Sequence, residues 1–329
     1  MSNNPLIIAV PSKGRLQENA NAFFARAGLD VARPGGARNY RGHLKGIDNV
    51  EIAFLSASEI AKELKKGTVH LGVTGEDLIR EHLTTPERYI DLLVKLGFGH
   101  ANVVIAVPKA WIDVRSMEDL GDIAMDMPAR YGHRLRIATK YINLTRAFFA
   151  EHGIVDYRIV ESLGATEGAP AAGSADIIVD ITSTGSTLEA NNLKILEDGV
   201  MLRSEANLVA SLTADWSDEA KNALGQILDR VQAEEAGRTR REITAAHFDA
   251  AVISQQICDE FEDDGTYAPY GHQEHVLHLH APQGSVYAIA CRLRALGATT
   301  ISVGKLDYIF QAANPLFDHL LARLDECDN

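Results

Sequence analysis

Over the first two hundred residues, short apolar runs rich in β-branched side chains alternate with longer stretches whose apolar residues recur at helical spacing. A strand buried on both faces reads as a continuous apolar run, whereas a helix laid over it needs only one apolar stripe. Such a chain therefore folds as parallel strands joined by crossover helices, an α/β protein. The expected strands are residues 6–10, 50–55, 71–73, 103–107, 123–125, 136–138, 157–160 and 177–181. Leu16, Ala20, Phe23, Phe24 and Ala27 fall on one helical face with Gly28 behind them as a stop, and residues 144–149 are stopped by His152-Gly153. No fixed-period repeat is present.

The pattern changes after about residue 212. Ser217 caps a helix with Asp218 and Glu219 in its first turn, and Ala220, Leu224, Ile227, Leu228 and Val231 form its stripe. A charged stretch at 234–242 and a second helical pattern at 248–261 follow, with an acidic glycine turn at 262–265. Residues 240–270 read as helical in pattern. The end reads as strand, helix, strand at 276–280, 285–296 (Val286, Ile289, Ala290 and Leu293 inward) and 300–303. The boundary is placed near residue 220.

At 329 residues the chain has room for two domains with a third small module. A hydrophobic content of 46% with 23% charged residues excludes disorder, and a net charge of −13 disfavours nonspecific binding of nucleic acid or anionic membrane. No apolar run approaches the roughly 18 to 20 residues of a membrane span, and residues 6–10 are too short for a secretory signal core, so a cytoplasmic protein is expected. Cys258, Cys291 and Cys327 show no CxxC spacing and are expected as reduced thiols, two packed and one in a frayed tail.

The segment richest in chemistry is Asp180-Ile181-Thr182-Ser183-Thr184-Gly185-Ser186-Thr187-Leu188. A buried strand runs into a hydroxyl-rich turn and then a helix beginning at Leu188. Gly185 lets the backbone point its amides at one spot, and the hydroxyls of Ser183, Thr184, Ser186 and Thr187 add donors, so the spacing suits a phosphate cradle. A helix end contributes only about 0.3 to 1 kcal/mol, so several amides and hydroxyls must act together. The same spacing also fits an ordinary strand-to-helix turn. The loop lacks the GK[ST] lysine and is no NTPase P-loop. Asp180, at the carboxyl end of its strand, stands where α/β sheets bind ligands and suits sugar hydroxyls. Lys13 and Arg15 follow the first strand and suit phosphate or nucleotide contact, or simply a solvated helix start. Glu76 and Asp77 follow the Thr74-Gly75 turn, fit either for Mg²⁺-bound water or a sugar hydroxyl, or for a helix N-terminus.

The segment 167–188, with Glu167, Gly173, Asp180 and the run Thr184-Gly185-Ser186-Thr187-Leu188, resembles the signature of the ATP phosphoribosyltransferase family. Further blocks match in the same order: Ser12-Lys13-Gly14-Arg15-Leu16, residues 72–78, Leu96-Gly97-Phe98-Gly99, residues 136–141 and residues 188–191, together covering about residues 5–205. The resemblance implies transfer of 5-phosphoribosyl from phosphoribosyl pyrophosphate to N1 of ATP with release of pyrophosphate, Mg²⁺ being present. It is the first step of histidine biosynthesis. It also implies two lobes of periplasmic-binding-protein type (type II) with the active site between them. Lobe I is expected at 1–105 with about 190–220, lobe II at 106–189, and a small α+β, partly ACT-like C-terminal domain at 221–329.

On this reading Asp180, Thr182, Ser183, Thr184, Gly185, Ser186 and Thr187 bind phosphoribosyl pyrophosphate. Lys13, Gly14, Arg15, Gly75, Glu76 and Asp77 bind nucleotide, and Asp180, Glu167 and Arg15 are catalytic. No residue set is assigned to a metal, Mg²⁺ being held mainly through the substrate pyrophosphate, and no general base stands out. His70, Gly97 and the pair Ala101-Asn102 depart from the family pattern and bear on the adenine side. Only one β-α-β half of an ACT-like domain is visible, so a histidine effector is a hypothesis. The family suggests dimers that assemble into hexamers. His272, His275, His278 and His280 cluster without zinc-site spacing and read as structural. The competing readings are a two-lobe anion- or solute-binding module and a catalytically weakened regulatory paralogue.

Overall fold

The computed structural model describes residues 4–34, 39–162, 164–247, 249–269, 272–273 and 275–327. The chain divides into two compact units, one built on the residues up to Phe23, Val31–Ala220 and those from Arg323 onward, the other on Phe24–Asp30 and Lys221–Ala322.

The first unit holds two sheets. Its first lobe runs β1 (Leu6–Pro11), α1 (Gly14–Arg26), β2 (Val31–Ala32), β3 (Arg41–Leu44), β4 (Val50–Leu55), α2 (Ala57–Lys66), β5 (Leu71–Gly75), α3 (Glu76–His82) and β6 (Ile90–Lys95). The chain then crosses into the second lobe: β7 (Ala101–Pro108), α4 (Met117–Tyr131), β8 (Leu135–Thr139), α5 (Ile142–Glu151), β9 (Tyr157–Glu161), β10 (Ile177–Thr182), α6 (Ser186–Ala190) and β11 (Leu193–Ser204). It returns as β12 (Ala206–Ser211). The sheets are ordered β2-β3-β4-β1-β5-β12-β6 and β11-β7-β10-β8-β9. In each, the strand arriving from the other lobe, β12 or β7, runs antiparallel to both neighbours, while β1 and β8 lie parallel to theirs. The two lobes thus share one strand order, as expected of a type II two-lobed α/β fold. Because β7 and β11 pair in the second sheet, residues 101–105 and 193–204, expected in the first lobe, belong to the second.

Local signals explain most boundaries. The Ser56/Glu59 capping box opens α2 and Gly67, left-handed at φ 73°, closes it. The expected strand at 123–125 is instead inside α4. Ser116 and Asp119 form a capping box there, and Met117, Leu120, Ala124 and Met127 are the buried stripe, so the short apolar run is one turn of a longer helical period. The strands β2, β3, β6, β11 and β12 were not anticipated. β6 is an edge strand buried only at intervals, and β11 is broken by register shifts around Val200.

His70 departs from the family pattern for a structural reason. It is 4% exposed; its Nδ1 accepts from the Ile7 amide (3.0 Å), its Nε2 donates to the Asp215 carbonyl (3.0 Å), and its ring meets Trp216 edge-on.

In the second unit, α7 (Asp218–Thr239), whose first turn Ser217 caps, is followed by β13 (Arg240–Ala246), α8 (Ala250–Glu260), β14 (His272–Gln273), β15 (Val276–Pro282), α9 (Val286–Ala295), β16 (Thr300–Lys305) and α10 (Pro315–Cys327). The sheet order β14-β15-β13-β16 gives a β-α-β-β-α-β fold, so both halves are present. The reading of 240–270 as helical is corrected by β13, which pairs antiparallel with β15 and β16 and sends Ile243 and Ala245 into the core with Ile257, Leu279, Ile289 and Leu293. Its charged first residues disguised a central strand. Phe248 and the His272 side chain lie outside the described residues. His280 is buried against the Tyr267 hydroxyl (3.2 Å), and His278 faces Thr244 and Glu242. Cys258 is half-buried, but Cys291, expected to be packed, is exposed on α9.

Burial holds the His70 imidazole below its ordinary pKa of 6.5. The unfolded chain therefore takes up a proton at a higher pH than the fold does, and stability is present in full above about 6.5 and lost as pH falls below it. The advantage of the native chain over His70→Gln in urea midpoint is expected to narrow from pH 7.5 to pH 5.5; a constant difference would contradict the neutral, doubly bonded ring.

Candidate active site

The site grows out of strand ends in the first unit. At the carboxyl end of β10, Asp180 is half-buried and Thr182 Oγ1 accepts from the Gly185 amide (2.8 Å), closing a turn in which Gly185 sits at φ 78°. Ser183 Oγ donates to the His100 carbonyl (2.9 Å) and Thr184 Oγ1 lies 3.0 Å from Ser186 Oγ. The helix that follows, α6, starts at Ser186 and has five residues. So short a helix adds little dipole, and the loop's capacity for an anion rests on its hydroxyls and on first-turn amides that helical geometry leaves without an intrahelical partner.

A cavity of about 540 Å³ opens beside this loop, lined among others by Arg15, Gly75, Asp77, Lys140, Tyr141 and Ser183. Of the residues expected to bind nucleotide, Arg15, Gly75 and Asp77 are therefore brought to one cavity with Ser183. Lys13 and Gly14 are exposed at the start of α1 and do not line it, and Thr184, Ser186 and Thr187 continue from Ser183 as exposed residues. Glu76 is turned elsewhere: Arg80 Nε donates to it (2.8 Å) along α3. A hollow of about 660 Å³ on the second lobe, between Trp111 and Tyr131, holds none of these residues.

Asp77 is buried and accepts from Tyr141 Oη (2.7 Å) and Ser204 Oγ (3.0 Å), while its own amide donates to Ser204 Oγ (3.0 Å). Both oxygens are thus held by hydroxyl donors, which argues against Asp77 as a carrier of metal-bound water. Gly75 is required by this packing, since a Cβ there would collide with Asp77 Oδ1. Burial, with the Asp77 charge beside it, pushes the Tyr141 phenol far above its ordinary value, so it stays a donor.

Asp180 is different. Burial raises its carboxyl above the usual carboxylate range and Glu167 pushes the same way, opposed by the Ile181 amide (2.8 Å) and by Lys140. Lys140 is exposed, with its ammonium 4.9 Å from the centre of the Tyr141 ring. Asp180 and Glu167 do not line the cavity, but Lys140 does, and a cation acting on a carboxylate near a strand end that another acid also influences makes an arrangement able to stabilise developing positive charge.

Lys140, Tyr141 and Ser204 were not anticipated as site residues. Lys140 and Tyr141 were legible, since they follow β8 at its carboxyl end, where α/β sheets bind ligands. Ser204 was not, being 127 residues from Asp77. The other departures have local causes. Gly97 is left-handed (φ 69°) with its amide donated to Glu205 (3.2 Å), Ala101 lines the cavity, and Asn102 is a β7 residue paired opposite Thr182.

Two α/β lobes of one strand order, with a hydroxyl-rich turn and a half-buried carboxylate at the strand ends, define a class of proteins that receive small anionic ligands at a strand-end cavity. Comparison with known proteins narrows the class. A family model described as HisG, ATP phosphoribosyltransferase, matches residues 56–233. An ATP phosphoribosyltransferase of Bradyrhizobium sp. (strain ORS 278) is 57% identical over 326 residues, 98% of this chain and 99% of that protein. One of Nitrobacter winogradskyi is 56% identical over 319 residues, 96% of this chain and 97% of that protein. The solved structure of the ATP phosphoribosyl transferase (HisG:HisZ) complex from Thermotoga maritima covers 69% of this chain and 96% of its own at 26% identity and a TM-score of 0.53. The chain belongs to the ATP phosphoribosyltransferase family, transferases that join 5-phosphoribosyl to ATP in the first step of histidine biosynthesis.

Tyr141→Phe removes one donor from a buried charge and is expected to lower the stability of this unit by about 1.5 to 3 kcal/mol. Chemical denaturation reads it, and an unchanged midpoint would contradict the Asp77 network.

Proposed function

We propose that the cavity beside Asp180 is where phosphoribosyl transfer takes place. The observation that carries this is the placement of Asp180: it lies in the last half of β10, two residues before that strand gives way to the hydroxyl-rich turn, and Lys140 and Glu167 both act on its carboxylate. Thr182, Ser183, Thr184, Gly185, Ser186 and Thr187 hold the ribose 5-phosphate through amides and hydroxyls, and Asp180 accepts from the ribose hydroxyls. Arg15, with Lys13 and Gly14 at the start of α1, faces the nucleotide or the pyrophosphate. As the bond from C1 of the sugar to pyrophosphate lengthens, positive charge grows at C1, where the Asp180 and Glu167 carboxylates favour it, and adenine N1 supplies the new bond. Positioning and charge do the work, and no general base is invoked.

Among the described residues no group of three His, Cys, Asp or Glu could hold a metal ion by itself. Mg²⁺ fits this site in another way, since it keeps its waters and binds one or two carboxylates together with substrate phosphates. It would be held mainly through the pyrophosphate of the substrate, in the cavity lined by Arg15 and Ser183, and would neutralise that leaving group. No helix among the described residues is long and apolar enough to cross a membrane; the cytoplasm is the setting proposed for a biosynthetic enzyme of this kind. A homo-oligomer, a dimer or a hexamer built from dimers, is the proposed assembly.

The β-α-β-β-α-β unit supports histidine as an effector, since both halves of an ACT-like fold are present. Activity is expected to fall as histidine is titrated to millimolar concentration; unchanged activity would remove the effector role.

Incubation of the chain with ATP, phosphoribosyl pyrophosphate, Mg²⁺ and pyrophosphatase tests the catalytic reading through the absorbance of phosphoribosyl-ATP. Thr187→Ala is expected to weaken phosphoribosyl pyrophosphate more than ATP, by about 1 to 3 kcal/mol for a lost hydrogen bond to a charged group. Equal losses for both substrates would refute the assignment of the turn to the sugar phosphate.

A further inference from the structure

We infer that Glu81 is a positioning residue for this reaction: from α3 in the first lobe it caps the N-terminus of α5 in the second, and so fixes Lys140 and Tyr141 as a wall of the cavity. The inference rests on the reading of that cavity as the substrate site.

The start of α5 has no cap of its own. Its N-cap residue is Tyr141, whose side chain makes no capping bond and is turned to Asp77 instead. An α-helix leaves its first amides without intrahelical partners, and burying them unpaired is costly. Glu81 meets the need from another element. Its two carboxylate oxygens each accept from the Asn143 amide (3.1 Å), Oε2 also accepts from the Leu144 amide (3.1 Å), and Asn143 Nδ2 donates to the Glu81 carbonyl (2.8 Å). The side chain is buried, the residue being 6% exposed, so this is an anchorage shielded from water and salt.

Asp77 lies one turn earlier on the same face of α3 and takes the Tyr141 hydroxyl. Two carboxylates four residues apart thus hold the short run Tyr141–Leu144, and Lys140 is the residue just before it. If the Glu81 carboxylate is lost, the first amides of α5 lose their acceptor, and the turn carrying Lys140, though still held by the Asp77 bond, by Thr139 Oγ1 on the Tyr141 amide and by Asn143 Nδ2 on the residue 81 carbonyl, gains freedom. A displacement of about 1 Å near reacting atoms is enough to cost about a hundredfold in rate.

A purely structural role and a positioning role differ in what they do to Asp180. The groups that act on its carboxylate are Lys140 from the turn before α5, Glu167 from the 166–168 turn, Tyr141 at the start of α5 and the Ile181 amide on its own strand. Lys140 favours the ionised form. Loosening Lys140 lets burial and Glu167 dominate, so the acid limb of kcat/KM moves to higher pH.

The test uses the full chain with ATP, phosphoribosyl pyrophosphate and Mg²⁺, measuring kcat/KM across pH together with the thermal midpoint. Glu81→Ala is expected to lower kcat/KM for phosphoribosyl pyrophosphate about ten- to hundredfold and to raise the acid limb, with Glu81→Gln intermediate. Asn143→Asp alone sets a like charge against Glu81 and is expected to impair the enzyme similarly. In the double variant E81A/N143D the new carboxylate caps α5 from its own first turn, and activity and acid limb are expected to return towards those of the native chain. A Glu81→Gln enzyme with a lowered thermal midpoint but native kcat/KM and acid limb would overturn the inference, as would a double variant no better than the worse single one. Thr187→Ala, run in parallel, separates the two readings. If it leaves phosphoribosyl pyrophosphate unaffected, the cavity itself is misassigned; if it acts while the Glu81 variants do not, only the positioning role falls.

Discussion

The constraint on which the first unit depends is an exchange of strands between its two sheets. β7 reaches the second sheet from the first lobe and pairs on one side with β10 and on the other with β11, and β12 makes the opposite journey to lie between β5 and β6. Both are buried: every residue of β12 is, as is the stretch from Val103 to Val107. Withdrawing either strand would leave ladders of buried amides and carbonyls unpaired, at about 1 to 3 kcal/mol for each group, so neither lobe is a self-sufficient fold. The two crossings also deliver the site. Gly99, His100 and Ala101 end the outward crossing and Ala206 the return, and all four line the cavity. Strand exchange thus builds the sheets and the floor of the site with the same few residues.

That floor explains where the sequence was readable. The alternation of apolar runs and helical stripes reveals β1, β4, β5, β7, β8 and β10 because each carries an apolar run with a buried centre; β9, only partly buried, shows through Ile159 and Val160, whereas β12, buried throughout, escapes because Asn207 and Ser211 dilute its apolar pattern. Strands half-exposed or bulged, such as β6 and β11, leave a diluted pattern, and β13 opens with Arg240, Arg241 and Glu242, whose charges read as helix surface. The residues 123–125 mislead in the opposite direction, since three apolar neighbours look like a strand until the capping box at Ser116 is taken together with the stripe that begins at Met117. Capping is a local signal and was there to be used. Contacts such as Ser204 with Asp77, or Glu81 with Asn143, join positions 62 to 127 residues apart, and no spacing rule reaches so far.

Within the site, the sequence exposed the loop and the acids but not their division of labour. A turn of five hydroxyl residues and a glycine is conspicuous, yet the helix behind it is a single turn and brings little field. The loop must act through the geometry that Thr182 and Gly185 impose on neighbouring amides. Gly185 at φ 78° is what makes that geometry inexpensive, as a side chain there would be held in the left-handed region.

Asp77 and Asp180 show how surroundings separate two like residues. Both are aspartates at the carboxyl edge of a sheet, and each was a candidate for contact with substrate. Asp77 is filled on both oxygens by Tyr141 and Ser204, so its charge is spent on holding the start of α5 against α3. The Asp180 carboxylate accepts a single described hydrogen bond, from the amide of the next residue, and burial and Glu167 oppose its charge while Lys140 supports it. A carboxylate fully bonded by the protein has little to offer a sugar, whereas one left under-bonded, with opposing influences on its charge, responds strongly to a cationic or hydroxyl-bearing partner. The difference lies wholly in what folding brings to each side chain, which is why the proposed chemistry is assigned to Asp180 while Asp77 serves the architecture.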